Sequence, residues 1–229
     1  MAGDLHRTQK HWETYSTIRS RPMRDLSQTQ AHTGNYYPVS RQPICIHPDI
    51  VKLGEEVQQT ILVQSAYRYL LDITVLETEI VNRATLYITS NKLPVALSGA
   101  LRRDALTIII DEAYHAYVAL DCLMQIEQFT GVKPLSFEYD ISVEVAINHA
   151  KERLPEKMHP AFELIAVCIA ENTNTQDILD MIKEKELHGF MKNILTDHYA
   201  DEARHSVFFE KVLYPNRFKQ QVLISENYH

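Results

Sequence analysis

The pattern D-E-A-x-H occurs twice in this chain, at Asp111-Glu112-Ala113-Tyr114-His115 and at Asp201-Glu202-Ala203-Arg204-His205. E-x-x-H alone means little, because chance supplies about one copy at this content of Glu and His, and the chain has four. Glu156/His159 straddles Pro155 and Pro160, and Glu226/His229 closes the sequence, so both read as solvated polar residues. Requiring the preceding Asp lowers the chance expectation to about 0.05 per chain. The two pentapeptides therefore constrain the fold.

On an α-helix, residues three apart share a face, so Glu112 with His115 and Glu202 with His205 can each close on one metal ion. Those faces are apolar. Ile108, Glu112, His115, Ala119 and Leu123 form one stripe, and Leu187, Met191, Ile194, His198, Glu202, His205 and Phe209 form another. A carboxylate and an imidazole turned toward a core must be paired or coordinated, since a lone buried charge costs several kcal/mol. A Glu–His ion pair within each helix meets that need, but two such pairs on facing helices are the ligand pattern of a di-metal bundle.

The rest of the chain agrees with helices. Apolar residues recur at three- and four-residue steps beyond residue 48, with breakers only between blocks. The pattern predicts helices over 49–66, 67–91, 96–129, 142–153, 159–172, 176–184 and 187–213, with an irregularity at the polar run ENTNTQD. Six glycines in 229 residues argue against a Gly-rich nucleotide cradle and a turn-dense β-sandwich. The fold class is all-α: a helical bundle over residues 49–229, preceded by an irregular, proline-containing arm over 1–48 that wraps it. A net charge of −7 does not suit a nucleic-acid binder. No signal peptide or membrane span is visible, and Cys45, Cys122 and Cys168 read as reduced core thiols, so a cytoplasmic location is expected.

A di-metal bundle needs one further Glu from each of two other helices. Glu77 shares a stripe with Leu70, Ile73, Ile80 and Ala84, whereas Glu79 falls outside it, four residues before Arg83 in ion-pair spacing. Glu171 ends the apolar run 164–170, whereas Glu163 sits near a helix start, where a carboxylate suits the dipole. Glu77 and Glu171 are the candidates. His198, four residues before Glu202, points at the same centre. Four converging carboxylates cannot all ionise without cations, and two divalent ions supply the missing charge. Oxygen and nitrogen donors without thiolate favour Fe or Mn, with Zn less suited and Ca or Mg disfavoured by the histidines. Asp111 and Asp201 are natural acceptors for the outer ring N–H of a ligating His. Asp72, in an otherwise apolar stretch, is a candidate contact for an amine.

Glu77, then Glu112 and His115, then Glu171, then His198, Glu202 and His205 resemble the seven-ligand pattern of the p-aminobenzoate N-oxygenase family of ferritin-like di-iron proteins. The third histidine, His198, is that family's distinguishing mark, and the resemblance spans residues 67–213. It implies two irons, O₂ as co-substrate, an external electron donor such as a separate reductase, and transfer of oxygen to an amine nitrogen in a biosynthetic pathway. His198, Glu112 and Glu202 are then the residues most closely tied to catalysis, and a homodimer is expected. A di-iron hydroxylase, desaturase or C–C-cleaving oxidase is the alternative, and an iron-binding ferritin a more distant one. Ala119, where a radical-bearing relative carries tyrosine, speaks against a ribonucleotide-reductase-like role.

Overall fold

The computed structural model describes residues 10–29, 33–136 and 141–214, so Glu226/His229 lies outside the described residues. Those residues form an all-α bundle with no named strand. Helix α1 runs over 55–89, with a π-helical segment at Leu76–Val81 between Glu55–Val75 and Asn82–Thr89. It is followed by α2 (Gly99–Thr130), the short α3 (Ser142–Lys151), α4 (His159–Ile182) and α5 (Gly189–Leu213). At 1.5 Å per residue α2 is about 48 Å long. It opens with the Ser98 hydroxyl accepting from the Leu101 amide and ends at Gly131, whose φ of +71° suits a residue without Cβ.

Two expected boundaries are corrected. The break at 66/67 does not exist: the interruption comes earlier, at Gly54 (φ +97°), after a single turn over Pro48–Val51. Nor does ENTNTQD break α4. Asn172, Thr173 and Thr175 each donate back to the carbonyl four residues earlier, at 2.8, 3.0 and 2.7 Å, so their polarity is satisfied within the helix.

Helix α1 packs along α2, and α4 along α5. Each of these four helices carries a polar segment between two apolar ones. In α1, Val63, Leu70 and Ile73 precede Glu77, and Ile80, Ala84 and Ile88 follow it. Ala105 and Ile108 precede Glu112 in α2, with Ala119, Cys122 and Ile126 beyond His115. In α4 and α5 the same division falls at Glu171 and at His198–His205. The polar layer thus lies mid-bundle between two apolar plugs that exclude water from either end. Cys45, Cys122 and Cys168 are buried and free.

The described part of the arm includes short helical turns, among them 10–15, Thr17–Ser20 and Leu26–Gln28. It is fastened at several places, Gln125 and Leu187 among them. The Gln125 side chain in α2 accepts from the Leu26 amide (2.7 Å) and donates to the Arg24 carbonyl (3.0 Å). Asn35 makes a parallel bridge to Leu187, with its N–H on the Glu186 carbonyl and its own carbonyl accepting from the His188 amide. Gly34 (φ +96°) permits that bridge, since a Cβ there would stand 2.6 Å from the Glu186 oxygen.

Candidate metal centre

The three predicted stripes are buried throughout: Glu77, Glu112, His115, Glu171, His198, Glu202 and His205 are at most 6% exposed. Their donor atoms form two groups, Glu77/His115/His198/Glu202 and Glu112/Glu171/Glu202/His205, and within each group the atoms lie within 4.8 Å of one another. Glu202 belongs to both. Its Oε1 is 3.3 Å from His115 Nδ1, 3.1 Å from His198 Nε2 and 3.3 Å from His205 Nδ1. Glu112 lies 2.8 Å from both His115 Nδ1 and His205 Nδ1, through different oxygens.

Glu77 lies in the π-helical segment, a widened turn of the kind that often marks a functional position. Neither oxygen of Glu77 or of Glu171 accepts a hydrogen bond, although both side chains are buried. Buried acceptors without donors are rare and costly. Cations satisfy them, and an O/N donor set with three imidazoles suits divalent first-row metals such as iron or manganese. The residues present therefore fit a pair of metal ions.

The electrostatics show the same strain. Burial, reinforced by the charge of Glu112, pushes the Glu77 carboxyl up to about 7, and burial beside Glu202 and Glu112 raises Glu171 well above its ordinary value. Burial also opposes ionisation of Glu112 and Glu202, but the neighbouring histidines, His205 foremost, hold both below the usual range. His115 and His205 are held well above the ordinary value: burial acts against the charged rings, and the surrounding carboxylates outweigh it. The carboxylates thus retain positive partners in the form of protons, which two divalent ions would replace.

Asp111 and Asp201 stand behind the histidines in a crossed arrangement. His115 Nε2 on α2 donates to Asp201 on α5 (3.2 Å), and His205 Nε2 on α5 donates to Asp111 on α2 (3.3 Å). Each pentapeptide thus orients the other's histidine, fixing both rings with Nδ1 inward. Arg204 Nη2 bridges the two carboxylates at 2.5 and 2.9 Å. The arm supplies the rest: Trp12 Nε1 donates to Asp111 (2.9 and 3.0 Å), and the Thr17 amide to Asp201 (3.2 Å to each oxygen). Sequence reasoning missed these three partners. Arg204 was visible as the x of the second pentapeptide; Trp12 and Thr17, far away in the chain, gave no signal.

Asp72 is not among the donors. It pairs with Arg68 at 2.9 Å on a half-exposed face, the ordinary i,i+4 geometry. Glu79 is exposed, and Arg83 instead reaches Glu163 on α4 (3.1 Å). Glu163 is buried among Arg83, Lys151 and the Tyr87 hydroxyl; burial opposes its ionisation, but Lys151 and Arg83 hold its carboxyl below the usual range.

A cavity of about 30 Å³ adjoins the first donor group, lined by His115, His198, Leu70, Ile73, Ala119 and Ile194. Pro22, Met23 and Arg24 of the arm close it. Arg24 and Arg21 both pair with Asp197, the neighbour of His198 in the chain.

The model of the p-aminobenzoate N-oxygenase AurF family matches residues 5–219. The chain belongs to that family. No curated protein matches it. Membership accounts for the ferritin-like all-α fold and brings with it the di-iron dependence and oxygenase activity of the family. The AurF match begins within the arm, so it includes Trp12 and Thr17 as well as the donor helices. No described helix is long and apolar enough to cross a membrane.

Proposed function

We propose that the chain is a non-haem di-iron N-oxygenase that oxidises the nitrogen of an amine, an arylamine foremost, to the hydroxylamine, nitroso or nitro level. Two irons held by Glu77, Glu112, His115, Glu171, His198, Glu202 and His205 would bind and reduce O₂, with electrons from a separate reductase or small reductant. The observation that carries this reading is the place of His198. It joins His115, Glu77 and Glu202 as a second imidazole in one donor group, so the two metal positions have unequal donors. The apolar cavity opens on that His-rich position and not on the other.

The chain's own residues do the rest. Leu70, Ile73, Ala119 and Ile194 keep the approach dry. His198 adds a donor without adding negative charge, which leaves its metal position less electron-poor than one completed by an open site. A cavity of about 30 Å³ holds a molecule no larger than water or O₂. Admission of an amine therefore requires the Pro22–Arg24 stretch to move off its Asp197 latch. No Ser-His or Cys-His nucleophile is needed, because a nitrogen lone pair is itself nucleophilic.

The test is direct. Iron-loaded, reduced protein is mixed with O₂ and a panel of aryl and alkyl amines, and products are identified by mass spectrometry. Nitroso or nitro products support the reading. Oxygen on carbon, a new double bond or a cleaved C–C bond would assign the chain to another di-iron oxidation instead.

We also propose a homodimer. Leu106, Ile110, Ala113, Tyr117, Leu120 and Met124 alternate at four- and three-residue steps on the exposed face of α2, a coiled-coil spacing opposite the donor face. A second copy of α2 is the complementary partner. Size-exclusion chromatography with light scattering should give twice the chain mass, and Leu120→Lys should shift it to the monomer.

A further inference from the structure

Trp12 is the chain's only tryptophan. It comes from the arm, yet it is joined to the core through Asp111, which accepts hydrogen bonds from both Trp12 and His205. The indole Nε1 donates to Asp111 at 2.9 and 3.0 Å, Asp111 accepts from His205 Nε2 at 3.3 Å, and His205 Nδ1 lies 2.8 Å from Glu112. At its outer end the ring is partly exposed and borders an open, largely apolar pocket of about 440 Å³ between α2 and α5.

The near-symmetry of the two pentapeptides supplies a control. Asp201, the counterpart of Asp111, receives its arm hydrogen bond from a backbone amide, that of Thr17. A peptide N–H therefore suffices to hold such an aspartate. The indole at Asp111 brings an additional property: a ring that gives up an electron, with its Nε1–H held by a carboxylate whose negative charge stabilises the cation left behind.

The geometry points to Trp12 as a redox outlet of the metal centre, carrying oxidising equivalents from the core to the surface when no amine is bound. The inference rests on the di-iron reading. Trp12 gives one electron inward, leaving an indole radical cation whose Nε1–H stays hydrogen-bonded to the Asp111 carboxylate. The oxidising equivalent in the core is reduced by that electron. A one-electron reductant of the ascorbate class at the open pocket then returns an electron to the ring, restoring the neutral indole. The residues around the cavity are thereby spared, among them Met23 and Tyr114, which contact each other at 3.1 Å.

The experiment uses the full chain, iron-loaded and reduced, mixed with O₂ without amine and freeze-quenched for electron paramagnetic resonance. Because only one tryptophan is present, growth with indole-deuterated tryptophan assigns any tryptophan radical signal without a variant. The expected result is a transient radical whose line shape narrows on deuteration and which disappears in Trp12→Phe, with peptide oxidation in that variant moving to Met23 and Tyr114. If the wild type consumes O₂ but shows no deuteration-sensitive radical, or Trp12→Phe retains the same signal, the outlet is wrong while the di-iron reading stands. If the wild type takes up no iron, the di-iron reading fails and the outlet with it.

Discussion

At the scale of single residues, Glu202 is the hub, because its Oε1 is within 3.3 Å of a ring nitrogen from each of three histidines. Loss of a shared donor removes a negative charge from both positions at once. Glu202→Ala should therefore reduce bound iron to near zero by elemental analysis. His198→Ala removes a neutral donor from one group only, so it should keep most of its iron while losing most amine oxidation. Glu163 is the contrasting case, a buried carboxylate that serves the fold. Glu163→Ala leaves Arg83 and Lys151 without their partner, and because both cations reach solvent the cost should be about 2 kcal/mol, below the range for fully buried pairs. Urea unfolding should show that loss, with iron content per folded chain unchanged.

At the scale of elements, the three donor stripes were legible because each obeys one helical period and each polar residue interrupts an otherwise apolar face. Glu77 could be chosen over Glu79 on that ground, and Glu171 over Glu163 because it ends the apolar run 164–170. What periodicity could not show were features set by other parts of the chain. Burial of Glu163 depends on Arg83 and Lys151 arriving from other helices. The crossing of Asp111 to His205 and Asp201 to His115 depends on how α2 faces α5. The π-helical segment at Glu77 carries no residue signal, since Leu76–Val81 reads as ordinary helix. The arm is the element whose role changed most, from wrapping to holding the aspartates behind the metal ligands. Gly34 anchors it. Gly34→Ala places a Cβ against the Glu186 carbonyl at a positive φ, at a cost of about 1–3 kcal/mol. Limited proteolysis should then cut the arm faster than in the wild type, with the bundle fragment still resistant.

At the scale of the whole molecule, the buried charges set how stability depends on pH. With metal removed by chelation, Glu77 holds its proton up to about 7 instead of 4.5, and Glu171 is also raised. Folded protein then binds more protons than unfolded across that window, so stability falls as pH rises. His115 and His205 act with the same sign: their raised values give stability that is full below 6.5 and is lost as pH climbs through their folded values. Glu112 and Glu202 act oppositely, and their contribution, present above 4.5, is lost on acidification below it. Chelated protein should therefore melt at a higher temperature near about pH 5.5 than near about pH 8. Added Mn²⁺ or Fe²⁺ competes with those protons, so the metal-induced rise in melting temperature should be larger at the higher pH.

The central claim is that one buried cluster holds two metal ions joined by Glu202. Anaerobic titration of chelated protein with Fe²⁺, followed by Mössbauer spectroscopy after exposure to O₂, tests it most directly. The account predicts saturation at two irons per chain and a magnetically coupled diferric spectrum with two unequal iron environments, one of which changes in His198→Ala. Saturation at a single iron, or two irons without coupling, would contradict it.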